Sequence, residues 1–218
     1  MNARNITTSL IAAIAGVLAL TGCVSSGKYG ELEKERDALA VERDALAEEQ
    51  AVLTNELDSV RAENEKMKNT YGELVRELQS EVEAGQITIQ EVVDGIRLGV
   101  SDELLFSSGA TSLGDDGTAL IARVAKQIAD EDAIIFVEGH TDDVRVGPSL
   151  RARYPTNWEL AGARAALVVR VLSEHGVDSA RLRAVSRGPF APLVPNDSPE
   201  NRARNRRTEI ILRVVPRG

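Results

Sequence analysis

The sequence predicts an α+β domain carried on a long helix. Three observations predict it. Apolar residues recur at every seventh position from Leu32 to Leu74. All seven prolines lie at or after Pro148, so nothing ahead of that residue forbids a long helix. Beyond Gln86 the pattern changes to short apolar runs alternating with stretches of 3.6-residue period. The charge follows the same division, with 8 basic and 16 acidic residues over 28–84 but 17 and 18 over 85–218, so the acidity of this chain of net charge -8 belongs to the helix. A single compact globule does not fit that division. The lone Cys23 rules out an intramolecular disulfide or a site of several thiolates, and two histidines leave little for a histidine-based metal site.

The first element, residues 1–22, reads as a signal peptide: Arg4 and the amino terminus, an apolar run from Ile6 to Leu20, then the small residues Thr21 and Gly22. The run would span roughly 22 Å as a helix, short of the roughly 30 Å hydrocarbon core, so it is not read as a permanent span. Leu20-Thr21-Gly22-Cys23 resembles the lipobox of bacterial lipoproteins. The resemblance implies lipidation of Cys23 as the mature amino terminus, with residues 23–28 as a linker. Val24 stands where such proteins carry an inner-membrane retention aspartate, which implies an outer-membrane address facing the periplasm.

Residues 29–84 read as a coiled-coil helix. Leu32, Leu39, Leu46, Leu53, Val60, Met67 and Leu74 occupy one heptad position without a miss. The companion positions, Tyr29, Arg36, Arg43, Gln50, Leu57, Asn64, Tyr71 and Leu78, are largely polar. Two arrangements stay open: a low-order homo-oligomer, or a single solvated helix laced with pairs such as Glu33 with Arg36, each contributing a few tenths of a kcal/mol. Gly85 marks a hinge before the next domain.

Residues 86–217 read as the α+β domain. Strands are expected at Ile96–Ser101, Ala133–Glu138, Leu182–Ser186 and Thr208–Val215, and helices at Asp115–Ala129 and Asn157–Glu174, the latter closed by His175-Gly176. The order is a βαβαββ sandwich. Pro189, Pro192, Pro195 and Pro199 mark a restricted, exposed loop ahead of the last strand.

Four segments carry a resemblance: Val137-Glu-Gly-His-Thr-Asp142, Asn157-Trp-Glu-Leu-Ala-Gly-Ala-Arg-Ala165, Gly176-Val177 with Arg181-Leu182, and Asn205-Arg-Arg-Thr-Glu-Ile210. In order and spacing they resemble the OmpA-like (OmpA/MotB) peptidoglycan-binding domain, and the loop Asp143–Thr156 looks most like the MotB branch. Ala161 departs from it, since the family commonly has Ser there; that removes a hydroxyl near the helix opening. The resemblance implies recognition, without turnover, of the diaminopimelate of the stem peptide, whose ammonium and carboxylate share one carbon. It places Asp142 on the ammonium and Arg164 on the carboxylate, with Thr141, Asn157, Leu160 and Arg206 shaping the pocket. An arginine fork suits a carboxylate, and Asp142 can accept from an ammonium. Read without the motifs, Arg164 would be a solvated helix face and Asp142 a turn-capping acid.

The function so implied is an outer-membrane lipoprotein that tethers the envelope noncovalently to peptidoglycan, with no cofactor and no metal. A MotB-like stator or other envelope-complex component is the alternative, but the stator branch needs a membrane helix with an acidic proton site, and Ile6–Leu20 contains no acid. An enzyme acting on peptidoglycan is third: His140 with Asp142 and Ser107 could be read as a triad, yet no Gly-x-Ser-x-Gly elbow is present. His140 is read instead as structural, and Trp158 as a packing residue. Residues 145–218 hold 14 basic against 6 acidic residues, but export and scarce aromatic side chains argue against nucleic acid.

Overall fold

The computed structural model describes residues 26–107 and 111–214. The signal peptide, the lipobox with Cys23 and the start of the linker lie outside the described residues. The chain divides into two compact units, Met1–Arg61 and Ala62–Gly218. Helix α1, Ser26–Glu77, contributes to each.

In the first unit the described residues are helical, and the heptad leucines face solvent, with Leu32, Leu39, Leu46 and Leu53 at 56–59% exposure. Ion pairs here are local, as between Arg36 and Asp37 and between Arg61 and Asp58.

The second unit begins 24 residues ahead of the expected boundary at 86. The reason is packing. Leu74 and Leu78 are fully buried in the domain core, and Met67 and Tyr71 pack against it. Polar contacts fix the same stretch: the Thr70 hydroxyl donates to Glu131, and Lys66 Nζ to the Asp130 carbonyl. Arg123 bonds Glu77 and Glu81. The last heptads assigned to a coiled coil over 29–84 are therefore core positions of the domain. A short helix α2, Gln79–Glu83, follows. It ends where Gly85 adopts φ 71°, a left-handed conformation that lets Gly85 and Gln86 donate to the Val82 and Glu81 carbonyls.

The remaining elements are β1 Ile87–Val92, β2 Gly95–Ser101, α3 Asp102–Leu105, α4 Asp115–Ile128, β3 Ala133–His140, α5 Pro148–Arg151, α6 Asn157–Glu174, β4 Leu182–Gly188, α7 Pro199–Asn205 and β5 Arg207–Val214. All expected strands and helices of the domain are present within a few residues, and β1 is a strand the sequence reading lacks. After Ile87 every position is half-exposed or exposed, with Gln90 and Glu91 exposed in succession, which leaves only a faint apolar pattern. The sheet order is β1-β2-β5-β3-β4, with β3 and β4 parallel and the other pairs antiparallel. Parallel strands need a crossover, and α6 supplies it. At the hairpin end Gly95 is obligatory, because a Cβ there would lie 1.9 Å from the Leu212 carbonyl oxygen.

Helices α4 and α6 bury one face of the sheet. Leu120, Ile121, Val124 and Ile128 from α4 meet Ala165, Val168 and Leu172 from α6 over Leu98, Ile135, Val137, Ile210 and Leu212. The proline loop ahead of α7 is stapled from below by Asn205, which is fully buried. Its Oδ1 accepts from the Leu193 and Val194 amides, and its Nδ2 donates to the Val194 carbonyl and Asn196.

Candidate functional site

At the carboxyl end of β3 the chain leaves the sheet through Thr141 and Asp142, and a pocket of about 420 Å³ opens between this exit, α6 and α7. Thr141, Asp142, Asn157, Leu160, Arg164 and Arg206, the six residues named from sequence, all line it. Arg145, Pro199 and Arg202 line it as well and were not among them.

Local chemistry sets each residue in place. Thr156 caps α6 in a capping box with Glu159, whose carboxylate accepts from the Thr156 amide at 2.9 Å. The hydroxyl that opens the helix is thus Thr156, and Ala161 sits deeper. It is fully buried where α6 crosses β3 so closely that a Cβ at Gly139 would fall 2.2 Å from the Ala161 carbonyl. Asn157 at the first turn donates to the carbonyls of Asp142, at 3.3 Å, and Val144, at 2.9 Å, tying the loop after β3 to the helix. One and two turns along, Leu160 and Arg164 face the pocket on one side of α6.

Every charge in the pocket's reading pair already has a partner. Asp142 Oδ1 accepts from the Val144 amide at 3.0 Å, so the carboxylate does cap its turn. Its Oδ2 accepts from Arg206 Nη1 at 3.0 Å, and Arg206 also reaches Glu103 at 3.1 Å. Burial works against the Arg206 charge, and the two acids more than offset it, so its pKa is raised. Arg164 is not on an exposed face, as its place in the helix had suggested, but 9% exposed. Its Nη1 donates to Asp102, and its guanidinium lies 4.9 Å from the centre of the Phe106 ring. The Nε is enclosed without an acceptor, an unsatisfied donor of the kind that costs about 1–3 kcal/mol. Burial pushes the Asp102 carboxyl up to about 6, against the pull of Arg164 and Arg206.

Asp102 escaped the sequence reading because nothing local marks it. It is 62 residues from its arginine and reads as the first acid of a short helix.

The other constellations resolve differently. Glu138, His140 and Glu209 each bring one possible metal-ligand atom within 4.8 Å of the others. Arg187 takes both oxygens of Glu138 at 2.7–2.8 Å, and Arg207 takes Glu209 at 2.7–2.8 Å. Burial and the charge of Arg207 drive His140 down to about 4, so it is neutral. With its carboxylates committed to arginines, the cluster suits a structural network better than a cation. Among the described residues no side chain is hydrogen-bonded to a ring nitrogen of His140, so no relay joins it to Asp142 or Ser107. Trp158 packs, but at the surface: it is 48% exposed and stacks on Phe190 at 5.3 Å.

A mixed sheet backed by two helices, with an acid at the end of β3 facing an arginine of the crossover helix, defines the class. Residues 105–206 match the OmpA family, and the chain belongs to it. Among solved structures, the cell wall anchor of the T6SS from Pseudomonas aeruginosa aligns over 64% of this chain and 96% of its own, at 32% identity and a TM-score of 0.59. Motility protein B of Helicobacter pylori is 36% identical over 132 residues, 59% of this chain. This chain spans only 50% of that protein. The probable lipoprotein YiaD of Escherichia coli is 24% identical over 216 residues, 93% of this chain and 95% of its own.

Proposed function

We propose that this protein is an outer-membrane lipoprotein that holds peptidoglycan noncovalently through the diaminopimelate of the stem peptide, without turning it over. The observation that carries the reading is the placing of Asp142 and Arg164 in one pocket with an unsatisfied guanidinium nitrogen. A zwitterionic carbon needs one anion and one cation a few ångströms apart, and this pocket offers both. Each charge-assisted contact contributes roughly 1.5–3 kcal/mol. The T6SS cell wall anchor supports the same ligand class, and YiaD supports a lipid anchor on a chain of this length and order.

Cys23 supplies that anchor, and the solvent-facing heptad leucines of residues 26–61 supply a homo-oligomeric spacer. Motility protein B favours a second reading, a stator-like component. Among the described residues no helix is long and apolar enough to cross a membrane, and the apolar run ahead of Cys23 lacks the acid a proton path would use.

Incubation with isolated sacculi tests the reading. The full chain should pellet with them and release no soluble fragments; released muropeptides would replace the tether by a hydrolase. Cys23→Ser should leave a form that no longer fractionates with the outer membrane, and unchanged fractionation would remove the lipid anchor from the account. Sedimentation equilibrium should give a dimer or trimer, whereas a monomer at high concentration would restore the solitary helix.

A further inference from the structure

Asp142 and Arg164 are both held by internal partners, but the partners differ in kind. Arg206 lines the pocket beside Asp142 and is a third exposed. Asp102 lies behind Arg164, outside the pocket lining, and is 5% exposed. The end of the sheet fixes its position, since its amide donates to the Arg206 carbonyl at 3.0 Å where β2 and β5 part. Its Oδ2 accepts from Arg164 Nη1, while its Oδ1 is enclosed away from solvent. The groups that face it are Arg164 from α6, Arg206 from the joint between α7 and β5, the Thr208 hydroxyl from β5, and Asp142 after β3; the two arginines and the hydroxyl favour the charged carboxylate, and Asp142 opposes it. One guanidinium is therefore clamped between a buried carboxylate on one side, the Phe106 ring on another, and the pocket.

We propose that Asp102 is the positioning counter-ion of Arg164, and that capture of a ligand carboxylate by this arginine is coupled to uptake of one proton by Asp102. The inference rests on the reading above that Arg164 takes the carboxylate. A second anion on the same guanidinium raises the proton affinity of the first, and more so in a site closed to water. Burial has already brought Asp102 to about 6, so the proton is within reach near neutrality. It comes from solvent and adds to the carboxylate, and the ligand carboxylate takes over as the counter-ion of Arg164, so the number of charges around the guanidinium is unchanged. The neutral acid retains a carbonyl oxygen that can accept from Nη1, so the arginine stays aimed while its charge passes to the ligand. By reciprocity, protonation of Asp102 must strengthen binding.

Calorimetric titration of the full chain with a soluble stem tripeptide ending in diaminopimelate, at pH 6.5 in buffers of different ionisation enthalpy, measures the proton directly. The wild type should take up a substantial fraction of a proton on binding. Its affinity should rise about three- to tenfold from pH 7.5 to 5.5, the change expected if the ligand raises the acid's pKa by about one. Asp102→Asn, which keeps an acceptor and loses the charge, should take up none and bind with a flat pH profile. A wild type that binds with no proton uptake overturns the coupling whether or not the variant folds, and so does uptake that survives in a folded Asp102→Asn. If the wild type binds neither tripeptide nor sacculi, the proposed function falls and takes this inference with it.

Discussion

Residues 26–61 and residues 62–214 use the same side chains in opposite ways. In the first stretch charged partners are one to three positions apart and lie in solvent, as with Arg36 and Asp37 or Arg61 and Asp58. In the second the pairs that hold the pocket are far apart in sequence: Arg164 and Asp102 are 62 residues apart, and Arg206 and Asp142 are 64. The leucines divide likewise, with Leu39 at 57% exposure and Leu74 at 0%, although both hold the same heptad position. A seven-residue repeat states only that one face of a helix is apolar. What covers that face depends on what the rest of the chain brings to it, and from residue 67 onward that is a domain core.

Cutting the same side chain in both regions should have very different effects. Leu74→Ala should destabilise the domain by about 2–5 kcal/mol, because the cavity opens in a closed core. Leu39→Ala should leave the domain's calorimetric transition within about 0.5 kcal/mol of the parent. Equal effects would mean that the repeat forms one continuous structure.

The buried acid offers the next largest effect. Asp102 has a pKa of about 6 in the fold against an ordinary 3.8. Between those values the folded state keeps a proton that the unfolded state has lost. Stability from this group is therefore fully present below about pH 4 and falls as pH rises through about 6, by about 3 kcal/mol in all. Denaturant titrations of wild type and Asp102→Asn should differ in slope across that window and run parallel above about pH 7. A wild-type profile no steeper than the variant's would contradict the assignment.

Smaller effects separate half-buried from exposed pairs. Arg123→Ala, which frees Glu77 and Glu81 at the end of the helix, should cost about 1 kcal/mol. Arg36→Ala, in an open pair, should not measurably shift the melting temperature.

The same division decides what could be read from sequence. Heptads, the apolar stripe of α6 and the strands β2, β3, β4 and β5 are local patterns, and the chain adopts them. Strand β1 has too little apolar alternation after Ile87 to stand out. The site residues were named through their motif segments, and six of them gather in one pocket. Hidden were the groups that hold them. The carboxylate behind Arg164 and the Asp142–Arg206–Glu103 chain are long-range contacts, and no local spacing announces a contact across 62 or 64 residues. The burial of Arg164 was missed for the same reason, since its exposure depends on α3, which precedes it by half the domain.

Co-sedimentation of the full chain with isolated sacculi, for wild type, Asp142→Asn and Arg164→Lys together, tests whether the pocket holds peptidoglycan through these two charges. Asparagine removes the anion, and lysine keeps the charge but cannot form the fork. Each variant should keep a cooperative thermal transition while its affinity drops about ten- to a hundredfold. Two folded variants that pellet like the wild type would contradict it.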